Sequence, residues 1–358
     1  MRNNRSHNEQ KGENSSAGRE KPFFLLLVED LVSAVPKRSQ DIVKKRFGLI
    51  GSRGETLEKI GADYGITRER VRQIVSDVVK NVAGKFSSQE FRDCEEKLVF
   101  TIAESNGIIK EDMIGHRLGL SDQREINAVR LLAEVSRKIF ISEDKGYIVK
   151  SWTLSKDIFP EVKGVILAAE QILQKEQRVF NSEQIVKALQ EKFPKKTSGE
   201  ILAFLETSAK IKKNRFGKWG MYNWNQINPK GTREKIYLVL KEKRKPLHFT
   251  EIANLIDEYK IGKRKAHPQT VHNELIKDDR FVLIGRGIYA LSEWGYSEGT
   301  IKEVLKNILS EAKRPMEKEE ILKQVFKVRQ VKKATVMINL NNSKVFVKAN
   351  NQYSVRKN

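Results

Sequence analysis

One plan recurs from residue 92 to residue 358, at a period of about 60 to 70 residues. It consists of three amphipathic helices followed by two short apolar strands, the second centred on a tyrosine. Residues 229–296 show it best. A first helix is expected over 234–242, a second within 247–256, and a third over 268–276 with Pro268 in its first turn. Two strands, 280–284 and 288–291, flank a Gly285-Arg286-Gly287 turn and read as a hairpin, or wing. The same plan is laid out, more diverged, over 92–152, 158–226 and 298–358. In the first of these the second helix is expected over 109–114. Such units can enclose only small cores, which fits a chain of 358 residues with 39% hydrophobic content. The expected class is mainly α with small β wings, built as tandem helix-turn-helix and winged-helix modules. Trp152, Trp219, Trp224 and Trp294 fall near module ends and are expected to pack in cores or seams.

Upstream, residues 56–74 read as helix, tight turn and helix. Thr56 is placed to cap the first, whose apolar face holds Leu57, Ile60 and Gly61. Gly65 makes the turn, with Ile66 packed beneath it. Thr67 caps a second helix that runs to about residue 82, with Val71, Ile74, Val75, Val78 and Val82 at inward-facing spacing. Its other face carries Arg68, Glu69, Arg72, Gln73 and Ser76, with Arg70 among them in the first turn. That layout suits a recognition helix whose first turns enter the major groove. Arginine grips guanine edges or phosphates, glutamine pairs with adenine, and glutamate accepts from cytosine. The alternative is a solvated charged face on an ordinary amphipathic helix.

The run 36–49, with Arg46-Phe47-Gly48-Leu49, and the run Thr67-Arg68-Glu69-Arg70-Val71-Arg72-Gln73-Ile74 resemble region 4 of bacterial sigma-70-family factors. The resemblance covers about residues 30–84, within a module expected over 22–86. It implies binding to the −35 element of promoters and contact with the RNA polymerase flap. About thirty residues precede the resembling stretch, too few for the sigma segments that grip core polymerase, so a complete sigma factor is not expected. Residues 230–295 resemble a second family, the HARE-type helix-turn-helix, which is similar to the N-terminal domain of the RNA polymerase delta subunit. Pro246-Leu-His-Phe-Thr-Glu-Ile-Ala253, His267-Pro268-Gln269-Thr270 and the 280–291 hairpin carry that match. Members of this family bind DNA or dock proteins.

Charge points the same way. The formal net charge is +22 and the pI near 9.8, an excess that favours nucleic acid as partner over a membrane surface. Lys263, Arg264 and Lys265 precede an expected recognition helix bearing Gln269, Thr270 and Asn273, and Arg286 tips the wing. This suits a helix in one groove with phosphate clamps beside it. A solubilising face is the alternative, since Glu274, Asp278 and Asp279 dilute the charge.

Chemistry is hard to find. The five histidines, His7, His116, His248, His267 and His272, lack metal-ligand spacing, and no nucleotide-binding glycine pattern occurs. Asp157 with Glu161-Val162-Lys163 mimics a nuclease motif, but such a set arises by chance in a chain rich in lysine and glutamate. Neither enzyme nor cofactor is expected. One cysteine, Cys94, excludes a disulfide framework, fits a reducing cytoplasm and reads as a packing residue. Residues 1–20 are expected as a disordered tail, 84–88 as a linker, and the apolar run 23–28 as an opening helix too short to span a membrane. The expected protein is a cytoplasmic, nucleoid-associated bacterial transcription regulator bound to double-stranded promoter DNA, with RNA polymerase core as a further partner. The alternatives are a polymerase accessory subunit, a protein-docking scaffold, or a component of a restriction or DNA-modification system.

Overall fold

The computed structural model describes residues 23–51, 53–83, 88–144, 146–296 and 299–356. The expected tail over 1–20 and all but Ser88 of the expected linker over 84–88 lie outside the described residues. The chain divides into two compact units, one ending at Lys163 and one running from Gly164 to Asn358. The architecture is mainly α-helical with small antiparallel sheets, as the pattern of tandem helices and wings implies.

The first unit opens with α1 (Phe23–Ser33), α2 (Lys37–Phe47), α3 (Leu57–Tyr64) and α4 (Arg68–Ala83). Gly48 ends α2 in the left-handed region at φ 70°, where its backbone N–H caps the helix. The helix-turn-helix is α3, the Gly65 turn and α4. It encloses a small core of Ile42, Ile60 and Val71, with Leu57, Ile66 and Ile74 packed at its edge. Thr56 Oγ1 accepts from the Lys59 amide and Thr67 Oγ1 from the Arg70 amide, each at 3.2 Å, so both helices start where side-chain acceptors meet orphan amides.

Next come α5 (Gln89–Glu104), β1 (Ile108–Lys110), the short α6 (Ile114–Arg117), α7 (Gln123–Val135), β2 (Phe140–Asp144) and β3 (Ile148–Thr153). The helix expected over 109–114 does not form as such. Ile108 and Ile109, buried and β-branched, pair instead with Thr153 and Trp152 of β3. A 3-10 turn, Glu111–Met113, then leads into α6. The sheet order is β1-β3-β2. These elements share one apolar cluster with the first four helices: Phe24 and Val28 of α1, Val78 and Val82 of α4, Leu98 of α5, Leu132 of α7 and Trp152 all belong to it. The join has a polar fastening. Glu125 of α7 accepts from the Phe24 and Leu25 amides at 3.1 and 3.2 Å, satisfying orphan donors at the start of α1. Cys94 lies in the same core, and burial pushes its thiol up to about 12.

Helix α8 (Ile158–Glu176) precedes α9 (Ser182–Gln190), α10 (Ser198–Glu206), β4 (Ile211–Lys213) and β5 (Trp219–Met221). Asn181–Gln184 and Thr197–Glu200 form reciprocal capping boxes at the starts of α9 and α10. Buried Trp219 gives its indole N–H to Ser182 Oγ at 3.1 Å. The following stretch holds α11 (Thr232–Lys243), β6 (Leu247–His248), α12 (Phe249–Glu258), α13 (Pro268–Ile276), β7 (Phe281–Gly285) and β8 (Ile288–Leu291), with sheet order β6-β8-β7. The chain closes with α14 (Ile301–Ala312), β9 (Met316–Glu317), α15 (Lys318–Val328), α16 (Lys333–Leu340), β10 (Phe346–Ala349) and β11 (Gln352–Val355). Strands β6 and β9 are two residues each, placed just before a helix, and each adds the third strand to a wing. Among the described residues no helix is long and apolar enough to cross a membrane.

Candidate nucleic-acid interface

The first turns of α4 stand clear of the core. Val71 is fully buried, while Arg68, Glu69, Arg70, Arg72 and Gln73 are exposed. Ser76 is only half-buried, because the helix there turns toward the shared core through Val78 and Val79. Close approach of the two helices depends on Gly61: a Cβ at that position would lie 2.6 Å from the Ile66 carbonyl oxygen.

The exposed side chains form one network. Glu69 accepts from Arg72 Nη2 at 2.6 Å and Nε at 2.9 Å, a two-pronged pair one turn apart. Gln73 donates to Glu69 at 3.5 Å, and Arg70 donates to Gln73 at 3.3 Å. Arg68 pairs with Glu58 of α3 at 3.0 Å. The hydrogen bond from Arg72 is the main cause holding the Glu69 carboxyl below its usual range, and it raises Arg72 in turn. The helix thus keeps these charged and amide groups ordered and partly neutralised.

Beside α4 lies a cleft of about 320 Å³ that long-range folding creates. Arg46 of α2, Arg72 of α4, Arg130 and Glu134 of α7, and Lys150 of β3 line it. Asn127 Nδ2 donates to the Gly48 carbonyl at 3.1 Å, and Arg130 donates to Asn127 Oδ1 at 2.8 Å. Glu111 pairs with Lys150 at 2.7 Å and Arg130 at 3.4 Å. Burial pushes the Glu134 carboxyl up. The basic residues Arg46, Arg130 and Lys150 extend the charged surface beyond Arg72, and local sequence pattern had no means of joining them.

In the later module, Lys263, Arg264 and Lys265 are exposed in the bend before α13, and Gln269, Thr270 and Asn273 are exposed on that helix. Gln269 donates to Asn273 Oδ1 at 3.3 Å, so these share one face. Arg286 is exposed at the wing turn, whose Gly287 carbonyl accepts from the Phe249 amide at 2.9 Å. His248 and His272 sit in a ring stack with Phe249, at 4.5 and 4.6 Å between centroids, which gives both a packing role. Glu161 and Lys163 of the nuclease-like triplet lie on α8 rather than on a strand, and Lys163 pairs with Asp144 at 2.8 Å. No group of acidic, histidine or cysteine side chains that could hold a metal ion occurs among the described residues.

Three family models match this chain. Sigma-70, region 4 matches residues 31–83; the HARE-HTH model, described as an ASXL and restriction endonuclease HTH domain, matches 232–294; and the TBPIP/Hop2 winged helix domain matches 163–225. Curated relatives include the RNA polymerase sigma factor SigA of Listeria monocytogenes serovar 1/2a, of Listeria innocua serovar 6a and of a Bacillus species. Each is 33% identical over 66 residues. That stretch is 18% of this chain and 18% of the relative, so the chain spans under a fifth of the length of these relatives. The chain therefore carries a sigma-70 region 4 helix-turn-helix and a HARE-type helix-turn-helix, domains of DNA-binding type joined in one polypeptide.

Proposed function

We propose that the protein is a sequence-specific DNA-binding transcription regulator of sigma region-4 type, acting at a −35-like element of promoter DNA in transcription initiation. One observation carries this reading. Arg68, Glu69, Arg72 and Gln73 stand exposed together on the N-terminal turns of the second helix of a tightly packed helix-turn-helix. Two arginines supply phosphate or guanine contacts, while Glu69 and Gln73 supply acceptor and amide groups for cytosine and adenine. The Arg46, Arg130 and Lys150 side chains beside them add backbone contacts, which set register without reading sequence. In this reading the module boundaries are those expected from the repeat, the protein is cytoplasmic and nucleoid-associated, RNA polymerase core is a partner, and no reaction is catalysed.

A specific observation favours a second role for the HARE-type module. Ile276 and Leu283 are 65% and 48% exposed and line a cleft of about 460 Å³ with Tyr289. A cleft that joins exposed apolar side chains to Asp278 and Asp279 suits protein docking, so this module can hold a partner while α4 holds DNA.

Chromosome-wide occupancy of the tagged protein tests the main reading. The expected result is enrichment upstream of transcription starts at sites sharing one short motif. Even occupancy, or occupancy without a common motif, contradicts it.

A further inference from the structure

The positive charge of this chain is unevenly placed. After Glu320 no aspartate or glutamate follows, whereas nine lysines and arginines do, against a net charge of +22 for the whole chain. The twenty residues before, 301–320, balance five cations with five carboxylates. A face that merely solubilises mixes both signs, as 301–320 does; segregation within one small module marks a surface for an anionic partner.

The fold assigns these charges to particular places. Arg329 is the internal one: it is buried, and its guanidinium donates to the Leu283 carbonyl of β7, anchoring the turn between α15 and α16. Lys332 and Lys333 then stand exposed at the start of α16, and Lys344 and Lys348 at the wing. The wing closes through Asn350 and Asn351, both left-handed at φ 46° and 64°, a two-residue turn with an uncharged tip. The open face of α16 holds Ala334, Thr335 and Ile338, the last 74% exposed. No carboxylate faces these lysines from α16 or the wing, in contrast to α4, where Glu69 occupies Arg72.

We propose that the C-terminal winged helix, residues 300–356, is a second duplex-DNA-binding module that grips the sugar-phosphate backbone through Lys332, Lys333, Lys344 and Lys348. Small and apolar groups on α16 suit a groove wall or a thymine methyl. The wing's rings, Phe346 and Tyr353, are each only 3% exposed, so the wing offers no stacking platform for single strands. An A-form RNA duplex is excluded on shape, since its major groove is too deep and narrow to admit side chains. The module supplies affinity for any duplex; it does not depend on α4 reading bases.

The test uses the full chain and a 30-base-pair duplex without promoter sequence, titrated across a salt series. Changing Lys332, Lys333, Lys344 and Lys348 together to alanine is expected to lower affinity at low salt at least about tenfold. The salt slope should become shallower by about 3 to 4, at roughly 0.9 for each phosphate no longer neutralised. The corresponding four-arginine variant should bind like wild type, and unchanged melting temperatures would show that both variants fold. Unaltered affinity and slope would overturn the proposal. So would tighter binding to an RNA duplex of the same sequence, or intact DNA binding with loss of affinity for polyglutamate. Gln73→Ala leaves this slope unchanged, so failure here and failure of the α4 reading are separable.

Discussion

Glu69 organises the exposed face of α4. Its carboxylate holds Arg72 and touches Gln73, yet all three side chains are exposed to solvent. Ion pairs in that setting are screened and contribute little to stability. In the proposed function, phosphates and base edges displace the pair readily, and the arrangement positions these side chains for DNA more than it stabilises the fold. The backbone beneath is less forgiving. Gly61→Ala would place a methyl group 2.6 Å from the Ile66 carbonyl, a clash with backbone that cannot rotate away. Overpacking of this kind costs about 1–3 kcal/mol. The expected outcome is a lowered melting temperature together with loss of specific DNA binding; wild-type values for both would show that α3 and α4 tolerate separation.

Among elements, helices were the most legible in sequence and the short strands the least. The starts of α3 and α4 follow from Thr56 and Thr67, which act on amides three residues away. Strands β1, β6 and β9 depend on partners about 40 residues distant, such as Trp152 for Ile109 and Tyr353 for Met316, and no local pattern announces them. The same limit hid the joining of α1 to α7. Glu125 reads in sequence as one more surface carboxylate, yet it is 5% exposed and serves α1 from 100 residues away. Burial raises its carboxyl above the usual range, against the opposing pull of the Leu25 and Phe24 amides. A raised folded value means the native state keeps a proton that the unfolded chain has released. Glu125's contribution is thus fully present below the ordinary carboxylate range and declines as pH rises through the raised value. Glu125→Ala should destabilise the first unit by about 1–3 kcal/mol at acidic pH by orphaning two amides. It should also flatten stability against pH above the carboxylate range. Thermal melts from pH 4 to 8 check both, and a variant with wild-type stability and slope would contradict the assignment.

For the whole molecule, the local signals sufficed for its class and for the α4 surface, because capping, turn glycines and one-turn spacing all act within a few residues. Arg46, Arg130 and Lys150 become neighbours of Arg72 only through packing of α7 and β3 against the first four helices. The excess charge is visible in composition, but only the fold buries Arg329 and leaves Lys332, Lys333, Lys344 and Lys348 exposed around α16 and its wing. In the proposed function, affinity comes from distributed lysines and arginines and specificity from a few residues on α4. The most direct test of that division is selection of preferred sites from random duplexes by full-length wild type, Glu69→Ala and Gln73→Ala. Each good base contact contributes roughly 1–3 kcal/mol of discrimination, while neither substitution removes a positive charge. The expected result is altered base preference within the selected motif for one or both variants, with nonspecific affinity nearly unchanged for Gln73→Ala and no weaker for Glu69→Ala, which frees Arg72. Identical preferred sites for all three proteins would contradict base reading by α4.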